Sequence, residues 1–499
     1  MKFFAVIYLS IGFLQNSNGQ SDYSKYFTYP TNLVAATPTI IAGGGNTYLS
    51  GTVLIDGSDF GLFLMKLNPQ GDLIWRKIIP PMSNSTYYQS PGQNGCVFLG
   101  GKVLVSVDYF KLPTFVQQGR ILAFSEDGNL AWTQDFESER PVTDGPLVKL
   151  DNQNVARISY SQSNDNNYFW QVDKVDSNGN IVWTKEIDAG GKLILDVGGA
   201  TLHGDTLFFT SSIVENLSAT KFDVKINMLS PDGDLIGQKT ILALPFQSPG
   251  NISLNRTGTR VFYDFYSKIG NSLSPYWCLG NWELGGGMTE ECTGQSENLR
   301  FARSFHLGVD GGIYGVGDMF IDNQPTSPKI GWAFKLTENG DYSWNKRIID
   351  TLSEYTGGLT DILFNINDTS LLSCGVLYKQ SLGVTTSQIW LLKFQSNGCF
   401  SENCGDTLYV PSPSSSILSP EKSFRFAIWP NPTSNYVQIE TSDFATFELR
   451  DMTGKLFLIG DLQEGDSNIE IKGLPIGMYI IVVKQNGAIL AKKIIIDRS

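Results

Sequence analysis

Residues 125–132 read Ser-Glu-Asp-Gly-Asn-Leu-Ala-Trp, a glycine turn followed by an apolar strand that ends in tryptophan. Related stretches recur along the chain, and their turn glycines are Gly71, Gly128, Gly179, Gly233, Gly340 and Gly398. The steps between these glycines are 57, 51, 54, 107 and 58 residues. Because 107 is about twice the other steps, we expect a degenerate copy near residue 286, where Gly285, Gly286 and Gly287 lie. The sequence therefore contains seven units of about 55 residues.

Each unit is predicted to contain two β-hairpins. Asn-Gly or Asp-Gly between alternating apolar strands supplies the positive φ angles of a tight hairpin turn. In the first unit Phe63, Met65 and Leu67 alternate before the turn, so one face of this hairpin is apolar. A second strand pair, at residues 38–42 and 46–54, precedes it. Four short strands per unit follow from this pattern.

An all-β propeller is the fold that these units predict. A sheet of four short strands cannot bury both of its faces alone, and seven such sheets stacked around an axis solve this problem. We assign residues 20–404 to a seven-bladed β-propeller. Tandem sandwich domains, or a propeller of six or eight blades, are the alternatives that the spacing leaves open. The tryptophan after each turn is expected to pack between blades.

The repeat resembles those of known propellers. Its Asp or Asn, short glycine turn and Trp four residues after the Gly are similar to quinoprotein-like propellers and to related outer-membrane assembly scaffolds. The turn is one residue shorter than the usual quinoprotein docking motif, and the sequence has no adjacent cysteine pair. Residues 125–132 also resemble the sialidase Asp-box, although Gly128 follows Asp127 directly and breaks that spacing. These resemblances imply the fold and leave the activity open.

The first nineteen residues have the organisation of a secretory signal peptide. Lys2 gives a positive start, and residues 3–13 are an apolar run too short to span a bilayer. Small residues follow, so we expect residues 1–19 to be removed by cleavage between Gly19 and Gln20. No cysteine follows the cut, which argues against a lipid anchor. No later segment has the length and hydropathy of a transmembrane helix.

Charge and motifs limit the chemistry of the chain. It has 37 Lys and Arg against 49 Asp and Glu, a net charge of −12, which disfavours nucleic acid as a partner. It contains no HExxH, GxSxG, GxGxxG or P-loop motif. Its two histidines, His203 and His306, are expected to be structural residues rather than zinc ligands or members of a catalytic triad. We predict no metal, no cofactor, no catalytic residue, and a monomer.

Six cysteines in an exported chain are compatible with three disulfides. Two pairs are local enough in sequence to close a hairpin: Cys399 with Cys404, and Cys278 with Cys292. Pairing the remaining two, Cys96 and Cys374, by elimination would tie an early blade to a late one. The alternative is that several of the six are free, buried thiols.

The composition changes after Cys404. Residues 405–423 are rich in Ser and Pro, as expected of a linker. Residues 424–499 contain seven short alternating segments, with turns at residues 453–454 and 486–487. This pattern over about 75 residues predicts a small Ig-like β-sandwich.

Four motifs in this C-terminal domain are similar to those of a known family. They read Trp-Pro-Asn-Pro at 429–432, Thr-Gly-Lys at 453–455, Ile-Gly-Met-Tyr at 476–479 and Lys-Lys-Ile at 492–494. In this order they resemble the type A C-terminal sorting domain of the Bacteroidetes type IX secretion system. The motif residues are Pro430, Asn431, Pro432, Gly454, Lys455, Gly477, Tyr479, Lys492 and Lys493.

The resemblance implies an export route. The signal peptide would carry the chain into the periplasm, and the type IX translocon would then recognise the folded C-terminal domain. Removal of this domain, with release or attachment to surface lipopolysaccharide, would follow. The expected location is therefore secreted or at the outer-membrane cell surface. A carbohydrate-binding or adhesive sandwich is the alternative interpretation of the same domain.

Two functions stay open for the propeller. Regular repeats without catalytic motifs favour a binding or scaffold module for an extracellular ligand, either a glycan or a protein. A secreted hydrolase acting on glycan or peptide is the alternative, because 49 acidic residues include many possible carboxylate pairs. Two irregular stretches supply aromatic residues that are weak candidates for ligand binding, with packing of a distorted blade as the other interpretation: Tyr276, Trp277 and Trp282, and Tyr87 and Tyr88.

Overall fold

A computed structural model of the protein describes residues 22–497 apart from short gaps. The gaps are 29–33, 56–58, 83–84, 90–93, 113, 115, 137–141, 144, 163–166, 217–220, 246–247, 268–275, 293–299, 321–327, 351–355, 366–368, 382–383, 401–403, 411–425, 442–444, 452–454, 463–464 and 486–487. All regular structure in the described residues is β-strand, so the all-β prediction is confirmed. Among these residues, no helix has the length and apolar character needed to cross a membrane. The predicted signal peptide, with Gly19 and Gln20, lies outside the described residues.

The described part of residues 22–410 folds into seven sheets of four or five strands, which we number as blades in chain order. The first strand, β1 (Tyr23–Thr28), belongs to the last blade. Blade 1 consists of β2 (Val34–Gly43), β3 (Asn46–Ile55), β4 (Asp59–Leu67) and β5 (Leu73–Ile79). Blade 2 consists of β6 (Ser85–Gln89), β7 (Cys96–Leu99), β8 (Lys102–Lys111), β9 (Val116–Ser125) and β10 (Leu130–Phe136). Blade 3 consists of β11 (Val142–Thr143), β12 (Leu147–Lys149), β13 (Asn154–Gln162), β14 (Tyr168–Asp176) and β15 (Ile181–Asp188).

The second half of the ring follows the same plan. Blade 4 consists of β16 (Leu193–His203), β17 (Thr206–Val214), β18 (Lys221–Leu229) and β19 (Leu235–Pro245). Blade 5 consists of β20 (Ser248–Leu254), β21 (Arg260–Ser267), β22 (Tyr276–Glu283) and β23 (Met288–Cys292). Blade 6 consists of β24 (Arg300–Leu307), β25 (Ile313–Phe320), β26 (Lys329–Leu336), β27 (Tyr342–Asp350) and β31 (Thr407–Val410). Blade 7 consists of β28 (Thr356–Asn365), β29 (Ser370–Ser381), β30 (Val384–Gln395) and β1.

Each blade contributes one innermost strand to a ring, and this strand is the first of the blade except in blades 2 and 3, where it is the second. In order, β2 contacts β7, β7 contacts β12, β12 contacts β16, β16 contacts β20, β20 contacts β24 and β24 contacts β28. The circle is completed where β28 packs against β2. This is the radial stacking of a β-propeller around a central channel, and the seven described sheets agree with the seven predicted units.

The ring is closed by the N-terminal strand. Strand β1 pairs antiparallel with β30, with Tyr26 opposite Trp390, and so forms the outer edge of blade 7. Side chains secure the closure, because Trp390 Nε1 donates to Ser24 Oγ at 3.0 Å. The hydroxyl of Tyr26 donates to Asp350 Oδ1 of blade 6 at 2.8 Å. The sequence repeat did not predict this strand, because it lies before the first unit.

The end of the propeller differs from the prediction. Residues 407–410, placed in the linker from their position after Cys404, form β31, which pairs in parallel with β27 at the edge of blade 6. Leu408 and Val410 are fully buried there, and this alternation of apolar side chains explains why the segment is a strand. The linker therefore begins later than residue 405, and residues 411–423 lie outside the described part.

The predicted glycine turns have a common geometry. In the stretch at 125–132, Gly128 N donates to Ser125 O at 2.8 Å, and Ser125 N donates to Asn129 O at 2.8 Å. Gly128 has a φ of 75°, and the register of β9 and β10 shifts beside the turn. This is a type I turn followed by a glycine bulge, rather than the two-residue turn that the Asp-Gly pattern predicted. Among the described residues of this hairpin, the glycine alone has a positive φ.

The tryptophan that follows each turn packs on the next blade, as predicted. Trp132 of blade 2 donates from Nε1 to Ser177 O in the turn of blade 3 at 3.1 Å. Its ring covers Gly179, where a Cβ would lie 2.8 Å from the ring atoms. The same contact with the following turn glycine is made by Trp75 on Gly128, Trp183 on Gly233 and Trp344 on Gly398. The absence of a glycine side chain is thus what admits the indole ring.

At the closure, a tyrosine replaces the tryptophan. Tyr23 on β1 is paired with Lys393, five residues before Gly398, just as Trp132 is paired with Ala123, five residues before Gly128. The Tyr23 ring lies against Gly71 of blade 1, 2.5 Å from the position of a Cβ. The interlock therefore continues across the junction between the last and first blades.

Blades 4 and 5 lack this interlock. Gly237 stands at the tryptophan position of blade 4, opposite Met228. Gly285 of blade 5 has a φ of 85° and occupies the predicted degenerate turn between β22 and β23. A Cβ at Gly285 would meet no atom within 4 Å. The turn of blade 5 is therefore open, whereas Gly340 of blade 6 is approached by Asn281 and Phe262 in place of an indole ring.

The disulfide predictions have different outcomes. Cys399 and Cys404 form a disulfide, as predicted. Cys278 is disulfide-bonded and lies opposite Cys292 in the register of β22 and β23. The Cys292 side chain lies outside the described ones, so this pairing stays a prediction. The pairing of the other two by elimination is wrong, because both are buried free thiols: Cys96 and Cys374.

The C-terminal domain is the predicted small sandwich. One sheet has the order β32 (Phe426–Trp429), β33 (Tyr436–Thr441) and β36 (Gly465–Glu470). The other has the order β35 (Leu456–Leu462), β34 (Ala445–Asp451), β37 (Gly477–Gln485) and β38 (Ala488–Ile496). Apolar residues of both sheets form one core. The turns at 453–454, including Gly454, and 486–487 lie outside the described residues.

Candidate functional site

A cavity of about 400 Å³ occupies the central channel of the propeller. Its lining comes from blades 1, 4, 5, 6 and 7, and includes Pro38, Asp196, Arg303, Asp318, Lys329 and Tyr378. Most lining residues of β16, β20, β24 and β28 lie in the first half of the strand. The cavity is therefore at the end of the channel opposite the glycine turns.

β-Bulges shape the wall of this cavity. The register of the inner strand shifts around Pro38 in β2, Gly198 in β16, Arg303 in β24 and Thr360 in β28. All four residues line the cavity. A bulge changes the direction in which a side chain projects. The inner strands are thus irregular where they meet the cavity, and a periodic sequence pattern did not indicate this.

Two cations on the cavity wall share one carboxylate. Arg303 Nε lies 2.7 Å from Asp318 Oδ1, and Lys329 Nζ lies 2.8 Å from Asp318 Oδ2. The Asp318 side chain is 5% exposed, whereas those of Arg303 and Lys329 are 41% and 39% exposed. Burial opposes the ionisation of Asp318, but the two cations outweigh it and hold its pKa below the ordinary value. The carboxylate therefore fixes both cations at the cavity surface.

A second buried acid lies in the neighbouring blade. Asp264 is fully buried and accepts hydrogen bonds from Trp277 Nε1 at 2.7 Å and from Asn251 N. Burial raises the pKa of Asp264 to about 7, although these donors and the charge of Arg303 act in the opposite direction. This acid is thus held by its own donors within blade 5.

A serine, a histidine and an aspartate meet at the junction of blades 6, 7 and 1. Ser304 Oγ donates to Asp361 Oδ1 at 2.6 Å and lies 3.0 Å from His306 Nε2. His306 Nε2 also lies 3.5 Å from the same carboxylate oxygen. In a catalytic triad the acid holds the ring nitrogen that faces away from the serine. Here both partners approach Nε2, so the geometry is not that of a triad.

The Asp361 carboxylate instead links three blades. Its Oδ2 accepts a hydrogen bond from Ile40 N of blade 1 at 2.9 Å, while Ser304 of blade 6 donates to Oδ1. The adjacent Thr360 Oγ1 donates to Pro38 O at 2.6 Å. His203, the other histidine, lies against Gly258 of blade 5. Both histidines therefore stand at contacts between strands or blades.

The predicted aromatic candidates lie in strands rather than in loops. Trp277 is 1% exposed and Trp282 is 8% exposed, and both belong to β22. Trp277 packs edge-on against Trp332 of blade 6 at 5.1 Å. Tyr88 is buried in β6, and its hydroxyl accepts a hydrogen bond from Arg120 at 2.9 Å. The side chains of Tyr276 and Tyr87 lie outside the described ones. The apolar run at 276–282 is a strand buried on both faces, which an aromatic loop can resemble in sequence.

The motifs of the C-terminal domain meet in space. Asn431 Nδ2 donates to Lys493 O at 3.0 Å, and Ile495 N donates to Asn431 Oδ1 at 2.9 Å. Thr433 N then donates to Ile495 O at 2.9 Å. The Pro-Asn-Pro segment, with Pro430 and Pro432 on either side of Asn431, therefore holds the terminal strand β38 in place.

The other motif residues divide between core and surface. Tyr479 is 3% exposed, packs edge-on against Phe457 and donates from its hydroxyl to Pro475 O at 2.9 Å. Gly477 begins β37, two residues before it. Lys455 N donates to Asp451 Oδ1 at 3.1 Å. Two motif lysines are exposed on β38: Lys492 and Lys493.

The fold and the C-terminal sandwich define an exported β-propeller protein. Residues 427–497 match the family described as the secretion system C-terminal sorting domain. This match indicates that the chain is cargo of the type IX secretion system, secreted or attached to the cell surface in Bacteroidetes. The sorting domain implies recognition by that system, as its motifs predicted.

Solved structures to which this chain is similar include one described as a β-propeller domain. The propeller domain of the Trilobed protease from Pyrococcus furiosus has a TM-score of 0.42 at 10% identity, covering 76% of this chain and 100% of that one. Puromycin hydrolase has a TM-score of 0.44 at 11% identity, covering 92% and 62%. The Synechocystis apocarotenoid oxygenase has a TM-score of 0.42 at 10% identity, covering 75% and 93%. Comparison with curated proteins gives no match. These likenesses carry no inference about activity.

Within the described residues, no group of three or more His, Cys, Asp or Glu side chains is placed to hold a metal ion. The residues that the cavity brings together, Arg303, Lys329 and Asp318, were missed by the sequence analysis. Arg303 and Asp318 stand 15 positions apart, and Lys329 11 further on. A single charged residue within a strand or at its start has no distinctive local pattern, so the signal for this site is tertiary.

Proposed function

We propose that the protein is a binding module that acts outside the cell, and that the channel cavity is its binding site for an extracellular glycan or protein. The observation that carries this proposal is the cavity of about 400 Å³, with polar and charged residues on its wall. Ligand sites of this size are concave and contain a few fixed polar groups among apolar ones. Arg303 and Lys329, which Asp318 holds in place, supply such groups.

A glycan array and a peptide library probed with the protein from Gln20 to Ser499 test this function. Asp196→Lys reverses an exposed charge on the cavity wall and is expected to abolish or redirect binding. Asp205→Lys is the matched control, because Asp205 is exposed on the turn at the other end of the same blade. Equal binding by both variants would contradict the channel as the site.

A hydrolase screen on the same protein tests the alternative function. Two described acids line the cavity, Asp196 and Asp318. Asp318 is held by two cations, which is consistent with binding rather than turnover. Turnover of a glycan or peptide that is lost on substitution of one channel carboxylate would overturn the proposal of a binding module.

For export, we propose cleavage after Gly19 and recognition of the folded sandwich by the translocon. Deletion of residues 424–499 is expected to leave the protein in the periplasm. Asn431→Ala removes two hydrogen bonds to β38 and is expected to reduce export by loosening the domain. Lys493→Ala leaves these backbone bonds in place and tests whether the exposed lysine is recognised directly. Unchanged appearance of the deletion variant in the medium would contradict this route.

A further inference from the structure

We propose that the channel cavity binds its ligand through a carboxylate group, and that the ligand is an acidic glycan built from uronic acids. This inference rests on the proposed binding function and names its ligand class. The argument begins with the placement of two cations. Arg303 is the bulge residue of β24, and Lys329 begins β26, so both side chains line the same cavity.

Two cationic groups lie side by side on this wall. Arg303 and Lys329 both contact the carboxylate of Asp318, and both side chains stay about two fifths exposed to the cavity. Asp264 lies close enough to interact with Arg303, but its carboxylate is bonded to Trp277 and Asn251 within blade 5. Two neighbouring cations favour an anionic group at this part of the wall, whereas Asp196 lies two blades away.

The cations are also held in position. The carboxylate of Asp318 is buried and accepts hydrogen bonds from Arg303 at both oxygens, and Lys329 contacts its Oδ2. Little conformational freedom of the two cations is therefore lost when a ligand binds. About two fifths of each cationic side chain is exposed. An arginine beside a lysine offers several N–H donors to one carboxylate, which is the arrangement that favours a charge-assisted hydrogen bond.

The rest of the wall favours a sugar over a peptide terminus. Asp196, two blades away around the ring, is exposed and offers acceptor oxygens to hydroxyl donors. Tyr378, half-buried on β29, presents an aromatic ring, and Thr356 adds a hydroxyl. Sugar rings combine hydroxyl donors with a carbon face that packs on aromatic rings.

Calorimetric titration of the protein from Gln20 to Ser499 with oligomers of glucuronate and galacturonate tests the inference. Oligomers of glucose and galactose serve as neutral counterparts. We expect the acidic oligomers to bind about tenfold or more tightly than the neutral ones. Their affinity should fall as salt is raised from about 0.05 to about 0.5 M, because screening weakens an exposed ionic contact.

Substitutions of the two cations test whether the acidic oligomers bind at this wall of the cavity. Lys329→Gln leaves the contact between Arg303 and Asp318 and is expected to fold, yet to weaken binding of the acidic oligomers about tenfold. Arg303→Gln is expected to weaken it further, and Arg303→Lys tests the need for the guanidinium. Arg256→Gln is the matched control. Arg256 is exposed on the hairpin at the other end of blade 5, so its loss should leave binding unchanged.

Four results would overturn the inference. Equal binding of neutral and acidic oligomers would show that the carboxylate of the ligand is not recognised, and would leave the proposed binding function intact. Unchanged affinity for the acidic oligomers in folded Lys329→Gln and Arg303→Gln would have the same meaning. Binding of peptides with a free C-terminal carboxylate but of no sugar would show that the ligand class is wrong. Failure of every glycan and peptide to bind would overturn the inference and the proposed function together.

Discussion

The two ends of the propeller are built on different principles. At the turn end, blades 1, 2, 3 and 6 repeat one contact, an indole ring on the next turn glycine. At the cavity end, the bulge residue differs from blade to blade, and the charges are concentrated on blade 6. The residues that repeat from blade to blade therefore join neighbouring blades. The residues that differ from blade to blade line the cavity in which we propose that a ligand binds.

The largest expected effect concerns Asp264 at the cavity end. Its pKa is raised to about 7 by burial, so its contribution to stability is fully present below the unfolded value near 3.9 and is lost as pH rises to about 7. Over that window we expect the wild type to lose up to about 4 kcal/mol relative to Asp264→Asn. Urea midpoints at several pH values measure this difference.

Asp318 is the matched control for that experiment. Its pKa is lowered, so its contribution is present above the unfolded value and is lost as pH falls through the folded one. The wild type should therefore lose stability relative to Asp318→Asn as the pH falls, whereas it loses stability relative to Asp264→Asn as the pH rises. Parallel pH curves for the two variants would show that the acids do not differ as described.

Next in size is the indole contact at the turn end. Trp132→Ala removes the ring from Gly179 and its hydrogen bond to Ser177 O. We expect a loss of about 3 kcal/mol, the lower part of the range for large core aromatics, because Trp132 is part-buried. Leu130→Ala is the control, since this leucine is 49% exposed on the same strand. Equal unfolding midpoints for the two variants would argue against an interlock.

A glycine pair separates backbone strain from the contact. Gly128→Ala combines a φ of 75° with a Cβ 2.8 Å from Trp75, whereas Gly285→Ala has a φ of 85° and open space. We expect a cost of about 1 to 2 kcal/mol from the backbone in both, and a further loss in Gly128→Ala alone. Thermal unfolding measures the difference. Identical losses would mean that the indole moves aside without cost.

The smallest effect on stability is expected where β1 closes the ring. Lys25 on β1 pairs with Asp72 beside Gly71, as Lys185 of blade 3 pairs with Asp234 beside Gly233. Because the acidic partners are more than half exposed, Lys25→Gln and Lys185→Gln should each cost less than about 1 kcal/mol. A much larger loss for Lys25→Gln would show that ring closure depends on this charge.

The sequence was most informative where a local pattern determines the structure. A glycine with positive φ is required at each hairpin, so the interval between turn glycines located Gly285 without its motif. The C-terminal motifs were equally readable, because the Asn431 side chain makes two hydrogen bonds to the backbone of β38.

Features that depend on distant partners were not predicted. Strand β1 is not followed by a glycine turn, and its partner β30 is distant in sequence, so their pairing could not be predicted from a local pattern. Trp277 was placed in a loop because a strand buried on both faces lacks alternation. Arg303 gave no signal, since a bulge depends on the pairing of β24 with β25. Tertiary context decided all three.

The closure by β1 also sets an order for folding during export. With the proposed cleavage after Gly19, Ser24 would be among the first mature residues, yet its hydrogen-bond partner Trp390 lies 366 positions later. Pairing at such separation is slow, because loop closure must precede the contacts that stabilise it. Blades 1 to 5 would therefore form first, while blade 7 needs both β1 and β30, and blade 6 needs β31. Resistance to protease should consequently appear late, when the two ends of the chain meet.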